Sequence, residues 1–248
     1  MSSLDVPTEL QRGGRVGHSD DNLASSLWLL DRVAQLSGRE NLAGAAVLDM
    51  GCGNKFTQTI LRENIAIGSY TGIDVYRDLI EYLQSSVDDP RLEYQHVDIH
   101  NAMYNTEGKP LSELTGLNVP DAHFDIVCLF SVFTHLAPHD YPAMLKLLRP
   151  YIKPDGVLVF SLFINEVAAN GQGYIAGVHD QLTAGLTEEQ KAAPIPAFVD
   201  MDPAQPLKWA VYSREYAHEL LEGTGWEKRS LELPVDPYVQ HHFVCSPA

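Results

Sequence analysis

Hydrophobic positions along the chain follow two patterns. Short continuous apolar runs recur at AAVLDM (45–50), YTGIDV (70–75), FDIVCLF (124–130) and VLVFSLF (157–163). Runs of that length, bounded by turn residues, suit strands buried on both faces. Between them, apolar residues fall three or four apart, the spacing of one helix face. SDDNLASSLWLLDRVAQL, from Ser19, has this spacing together with a serine cap and two acids in its first turn. FTQTILRENIA, RDLIEYLQSS and YPAMLKLLRPYI predict further helices, the last ending at Pro150, with a turn at KPDG (153–156). RLEYQHVDI (91–99) predicts a third strand. SREYAHELLEGTG carries a serine cap and a glycine stop, and WEKRSLEL and YVQHHFVC predict two closing strands.

Strands alternating with helices imply an α/β fold, a parallel sheet with helices on both faces. The rhythm breaks from about Asn165 to Tyr212, a stretch rich in Gly, Pro and Ala with helical pieces at best, such as TEEQKAA. A long insertion at a strand end predicts a lid. The expected organisation is one domain over 1–248. Residues 1–44 form an N-terminal helical cap, 45–163 a ligand-binding core, 164–212 the lid, and 213–248 a closing helix and strands.

Composition narrows the function. The formal net charge of -16 disfavours phosphate backbones, and no basic run tracks nucleic acid. No apolar stretch approaches bilayer-spanning length, so no membrane partner is expected. The first residues carry no hydrophobic signal region, and Cys52, Cys128 and Cys245 are isolated. Both observations point to a cytoplasmic protein with reduced thiols. The oligomeric state is left open, a homodimer included.

VLDMGCGNKF (47–56) follows the first strand and departs from G-x-G-x-x-G, because the third position is Phe56. Gly51 and Gly53 let the backbone approach a ligand, and the next helix offers unpaired N–H groups to a carboxylate. Asp49 is awkward beside a pyrophosphate but suits a cation. A ligand with both an ammonium and a carboxylate meets both features. Asp74 ends the second strand about 20 residues on, the place for an acid on ribose hydroxyls. Asp98 ends the third, suited to an exocyclic amine, with Ile99 against the ring. An amino-acid site, a ribose site and an adenine site in order describe S-adenosylmethionine.

VLDMGCG, GIDVY, VDIHN, FDIVCLFSVFTHL and LRPYIKPDGVLVFS together resemble the successive motifs of class I S-adenosylmethionine-dependent methyltransferases, over roughly 45–163 and 211–245. The resemblance implies a Rossmann-like, doubly wound, seven-stranded sheet, mostly parallel with an antiparallel last strand. It also implies a cofactor site built from Asp49, Gly51, Cys52, Gly53, Asp74, Val75, Asp98, Ile99 and Phe130. Arg15 would close on the methionyl carboxylate from the N-terminal segment. Lys55 stands where the family's D-x-G-x-G-x-G has its last glycine, either reaching that carboxylate or pointing to solvent.

Methylating a hydroxyl needs a base, whereas a carboxylate needs none. His135, just past the fourth strand, has the intrinsic pKa for the task. Its alternative role is scaffold beside the cofactor. Glu166, at the end of the fifth strand, is a second candidate, as base or as orienter of His135. No metal site is expected, although rim His, Asp and Glu leave Mg²⁺ assistance open. Tyr174, His179, Asp180 and Trp209 of the insertion are candidates for stacking on or holding the acceptor. No D/N-P-P-Y/W follows the fourth strand, so the acceptor is expected to be a small molecule. From SVFTHL through INE to YVQHHFVC the chain is similar to bacterial, actinobacterial, sugar O-methyltransferases. Fatty-acid or phenolic O-methylation, aminopropyl transfer and non-catalytic binding on the same fold are the alternatives.

Overall fold

The computed structural model describes residues 4–11, 19–184, 187–189, 196–202 and 204–248. The apolar runs become parallel strands: β1 (Ala46–Met50), β2 (Ser69–Asp74), β3 (Leu92–His96), β4 (Phe124–Leu129) and β5 (Ile152–Ile164). They are followed by β6 (Phe198–Asp200), β7 (Ala210–Tyr212), β8 (Trp226–Glu232) and β9 (His241–Pro247). The main sheet runs β3-β2-β1-β4-β5-β9-β8, with β9 antiparallel to both neighbours. The parallel part is what the strand-helix alternation implied, and the Rossmann-like order with an antiparallel strand is what the resemblance implied.

Among the described residues, helices cover the sheet: α1 (Ser19–Leu36), α2 (Lys55–Glu63), α3 (Arg77–Ser86), α4 (Asp140–Leu148), α5 (Tyr174–Thr183) and α6 (Arg214–Glu219). Alternate residues of β1 face opposite layers. Val47 packs with Leu30, Ile60 and Leu83 of α1, α2 and α3, while Leu48 packs with Leu145 and Leu148 of α4. Ser213 caps α6 by accepting the Tyr216 N–H. No described helix is long and apolar enough to cross a membrane. All three cysteines are buried and free.

Three features differ from expectation. KPDG does not break the chain into a turn before β5. Phe124 pairs with Ile152 and Ile126 with Val157, so the extra residues form a bulge inside the strand. Gly156 is required there, since a Cβ would lie 2.6 Å from Ile152 Cγ1 and 3.0 Å from the Asp125 carbonyl. Second, β3 ends at His96, and Val97–Ile99 continue outside the ladder. Third, the insertion holds more structure than helical pieces. Besides α5 it forms a β6–β7 hairpin that joins the sheet where Phe163 and Ile164 pair with Val211 and Tyr212. Three-residue strands carry too little periodicity to be seen in the sequence.

Candidate active site

Two adjoining cavities open at the carboxyl ends of the strands, the usual ligand position in such sheets. The first, about 220 Å³, lies against the glycine turn. Gly51 and Gly53 both have positive φ, +79° and +51°. A Cβ on Gly51 would sit 2.4 Å from Val132 Cγ2, so no side chain fits, while the space around Gly53 is open. The Gly51 and Cys52 amides both donate to the Ile73 carbonyl, at 2.7 and 3.1 Å. This ties the turn to β2.

Asp74 stands on the wall of this cavity, held from two sides. Its Oδ2 accepts from the Gly53 amide and its Oδ1 from the Tyr76 amide, each at 2.9 Å. A carboxylate oxygen has a second lone pair beyond these bonds, available to a ligand hydroxyl. Val75, Ile99 and Phe130 complete the apolar wall around it.

Other anticipated residues lie off this wall. Asp49 faces the α1–α3 layer, where it accepts from Tyr70 Oη at 2.7 Å. Burial raises its pKa to about 7, against the pull of Tyr70 and Cys128. In this position the carboxyl is engaged by an internal hydrogen bond and is not among the residues lining the first cavity. Cys52 is buried behind the turn, against Gly72. Asp98 Oδ1 accepts from Asn105 Nδ2 at 3.2 Å, securing the loop 98–109 rather than facing the cavity. Arg15 lies outside the described residues.

The second cavity, about 370 Å³, is lined by the 99–111 loop, by His135–Asp140, and by Pro206 and Leu207 of the insertion. The two cavities share the wall formed by Ile99, His100, Asn101, His135 and Leu136. His135 is half-buried, and its Nδ1 lies 3.1 Å from the Leu207 carbonyl. A carbonyl only accepts, so Nδ1 carries the hydrogen and Nε2 is the basic nitrogen. Burial lowers the His135 pKa, partly offset by the Leu207 and Lys208 carbonyls. The ring is thus neutral near pH 7.

Glu166 is engaged elsewhere. Arg214 grips both its oxygens, through Nε at 3.0 Å and through Nη2, and His241 Nε2 lies 2.9 Å away. Arg214 and His241 outweigh the upward pull of burial and lower the Glu166 pKa. Glu166 is not among the lining residues of either cavity, and its hydrogen-bond partners are Arg214 and His241 rather than His135. It instead fastens the start of the insertion to its end. Tyr174 is likewise a packing residue, 8% exposed, its ring centroid 4.2 Å from that of Phe163. His179 and Asp180 are solvent-exposed, and Trp209 lies under the Lys208 ammonium at 4.8 Å. Among the described residues no group of three or more His, Cys, Asp or Glu is placed to hold a metal.

Residues that the sequence did not single out complete the walls. His100, Asn101 and Tyr104 come from the loop after β3, Ser131 from the end of β4, and Met144 from α4. Ser131 has φ +58°, uncommon for a residue with a side chain, and its amide donates to Ser161 Oγ at 2.9 Å. For His100, Asn101 and Ser131 the signal in the sequence was proximity to a strand end, whereas Met144 lies within α4 and carried none.

The family described as a methyltransferase domain matches residues 24–231. Solved structures share the fold at low identity. A Pyrococcus horikoshii protein is 17% identical, covering 97% of this chain and 94% of its own, with a TM-score of 0.57. A magnesium protoporphyrin IX methyltransferase from Synechocystis PCC 6803, with bound S-adenosylhomocysteine, is 15% identical over 97% of this chain and 92% of its own, at 0.58. A mitomycin 7-O-methyltransferase is 16% identical, covering 93% of this chain and 57% of its own, at 0.56.

Proposed function

Since the chain belongs to the methyltransferase-domain family, as a class I S-adenosylmethionine-dependent methyltransferase, we propose that it methylates a hydroxyl of a small polar molecule seated in the second cavity, with His135 as the base. The first cavity has what the cofactor asks of it. Asp74 presents a fixed carboxylate for the ribose hydroxyls, and Ile99 and Val75 offer apolar contact for a flat ring. Gly53 leaves room where a side chain would stand. When bound, S-adenosylmethionine supplies a methyl group on a sulfonium, already a good electrophile.

The protein's own residues then have two tasks. One is positioning: the acceptor must lie on the far side of the methyl from the sulfur, in line with the breaking bond. A second cavity directly adjoining the first provides that place. The other task is to take the hydroxyl proton. As the oxygen–methyl bond forms, His135 Nε2 accepts the proton, while Nδ1–H stays on the Leu207 carbonyl and steadies the imidazolium. The observation that carries this reading is the position of His135 on the wall common to both cavities.

The acceptor class follows from the second cavity's lining. His100, Asn101, His139 and Asp140 are polar, and no Lys or Arg is among the lining residues. This suits a hydroxylated neutral molecule, a sugar included, better than a fatty acid, whose carboxylate would ask for a cation. A phenol is the second reading, favoured by the apolar Met103, Leu111 and Pro206 in the same cavity. The test offers methyl-tritiated S-adenosylmethionine with monosaccharides, phenols and fatty acids, using wild type and His135→Gln. Transfer to a hydroxyl, lost in the variant, supports the reading. Transfer only to carboxylates, undiminished in the variant, overturns it.

A further inference from the structure

The β6–β7 hairpin reaches the β4–α4 segment at two points. Leu207, in the loop joining the two strands, accepts from His135 Nδ1 at 3.1 Å. Tyr212 of β7 donates its hydroxyl to the Leu136 carbonyl at 2.5 Å. The insertion therefore grips the candidate base at its ring and at the next peptide.

Leu207 is held in an unusual conformation to do this. Its φ is +58°, the left-handed region that a residue with a Cβ seldom enters. Such a conformation persists only where its surroundings over-determine it. The group that does so is Asp200, the last residue of β6, whose Oδ2 accepts the Leu207 amide at 2.9 Å. The loop's own turn adds a Gln205 amide bond to the Asp202 carbonyl and a Lys208 amide bond to the Gln205 carbonyl. Asp200 Oδ1 is buried with no hydrogen-bond partner among the described residues. One oxygen of this carboxylate is thus committed to the Leu207 backbone, and the other is left without compensation. A carboxylate placed only to solvate a loop would face water.

We propose that Asp200 is a positioning residue for His135, acting through the Leu207 peptide. Its carboxylate fixes the Leu207 amide. The left-handed turn then aims the Leu207 carbonyl at His135 Nδ1, which keeps the hydrogen on that nitrogen and the lone pair on Nε2. The inference rests on His135 being the base. It adds that the insertion sets the tautomer of a residue 65 positions earlier than Asp200 in the chain.

The test reads the imidazole directly, by nitrogen-15 NMR of the full-length protein, free and with S-adenosylhomocysteine. In wild type His135 should be the Nδ1–H tautomer. Asp200→Ala should shift it substantially toward Nε2–H, with turnover on any acceptor falling about 10- to 100-fold through kcat rather than KM, and S-adenosylhomocysteine affinity unchanged. Asp200→Asn, which still presents an acceptor oxygen, should restore the wild-type tautomer. Leu207→Gly adopts the same φ without steric cost, so in that background Asp200→Ala should shift the tautomer by less than half as much. This comparison also carries the test if Asp200→Ala alone does not fold. An unchanged tautomer in Asp200→Ala, or an equal shift in both backgrounds, would overturn the proposal. A shifted tautomer with normal turnover would instead remove His135 as the base and leave the Asp200–Leu207–His135 contact standing.

Discussion

The two cavities share one wall but are built differently. The first cavity takes its glycine turn and its carboxylate from within a few residues of β1 and β2: the Gly51 turn, Asp74, and the Gly53 and Tyr76 amides that hold it. The acceptor side joins the 99–111 loop, the end of β4 and a hairpin more than 60 residues further on. A site made of strand ends is fixed by the sheet register. A site made of long loops is free to vary while the sheet stays the same. Cofactor identity thus follows from local features, while acceptor identity depends on how distant segments pack.

The largest expected effect is on the shared wall. His135→Ala should lower turnover by about 100- to 10,000-fold, the usual cost of losing a general base. Cofactor affinity in calorimetry should stay nearly constant. If both fell together, His135 would belong to the cofactor side and the comparison would break. The acid limb of the wild-type rate profile sharpens it. Burial lowers the His135 pKa, and the ring must be neutral to act. Turnover should therefore persist as pH falls through 6.5, the ordinary value, and fail only below it.

On the cofactor side, Asp74→Ala should weaken S-adenosylhomocysteine binding by roughly 1.5–3 kcal/mol, or about tenfold to a hundredfold, as expected for losing a charged hydrogen-bond partner. Circular dichroism should show the fold intact. Unchanged affinity would remove the ribose assignment.

Much of this division was legible in the sequence. Gly51, Gly53 and Asp74 carry their meaning locally, because a tight turn after a buried strand and an acid at the next strand end each need few neighbours. Asp49 and Asp98 showed where local reading stops. Asp49 stands near the end of β1 and Asp98 two residues past β3, but Tyr70 and Asn105 engage their carboxyl groups as internal partners. Glu166 is engaged in the same way at longer range, by Arg214 48 residues on and His241 75 on. No periodicity announces such pairs. The hairpin that meets His135 was hidden because three-residue strands leave no pattern.

A smaller effect tests the foundations beneath the turn. The Asp49 pKa is raised to about 7 from 3.8 by burial. A folded state with the higher carboxyl pKa binds the proton more tightly than the unfolded chain. Its stabilising contribution is full below pH 3.8 and is lost as pH rises through about 7. Between these values the loss is on the order of 1 kcal/mol per pH unit. Asp49→Asn, which keeps an acceptor for Tyr70, should flatten this dependence in denaturant titrations at pH 5 and pH 7. An equal slope in both proteins would mean that Asp49 is ionised in the fold, and that its charge is available to the cofactor side after all.

The proposed chemistry depends on the two cavities meeting at His135, and a crystal structure with S-adenosylhomocysteine bound tests that most directly. The ribose hydroxyls should lie within hydrogen-bonding distance of Asp74, and the sulfur should face the wall of His100, Asn101 and His135. A nucleoside away from Asp74, or a sulfur turned from His135, would contradict the account.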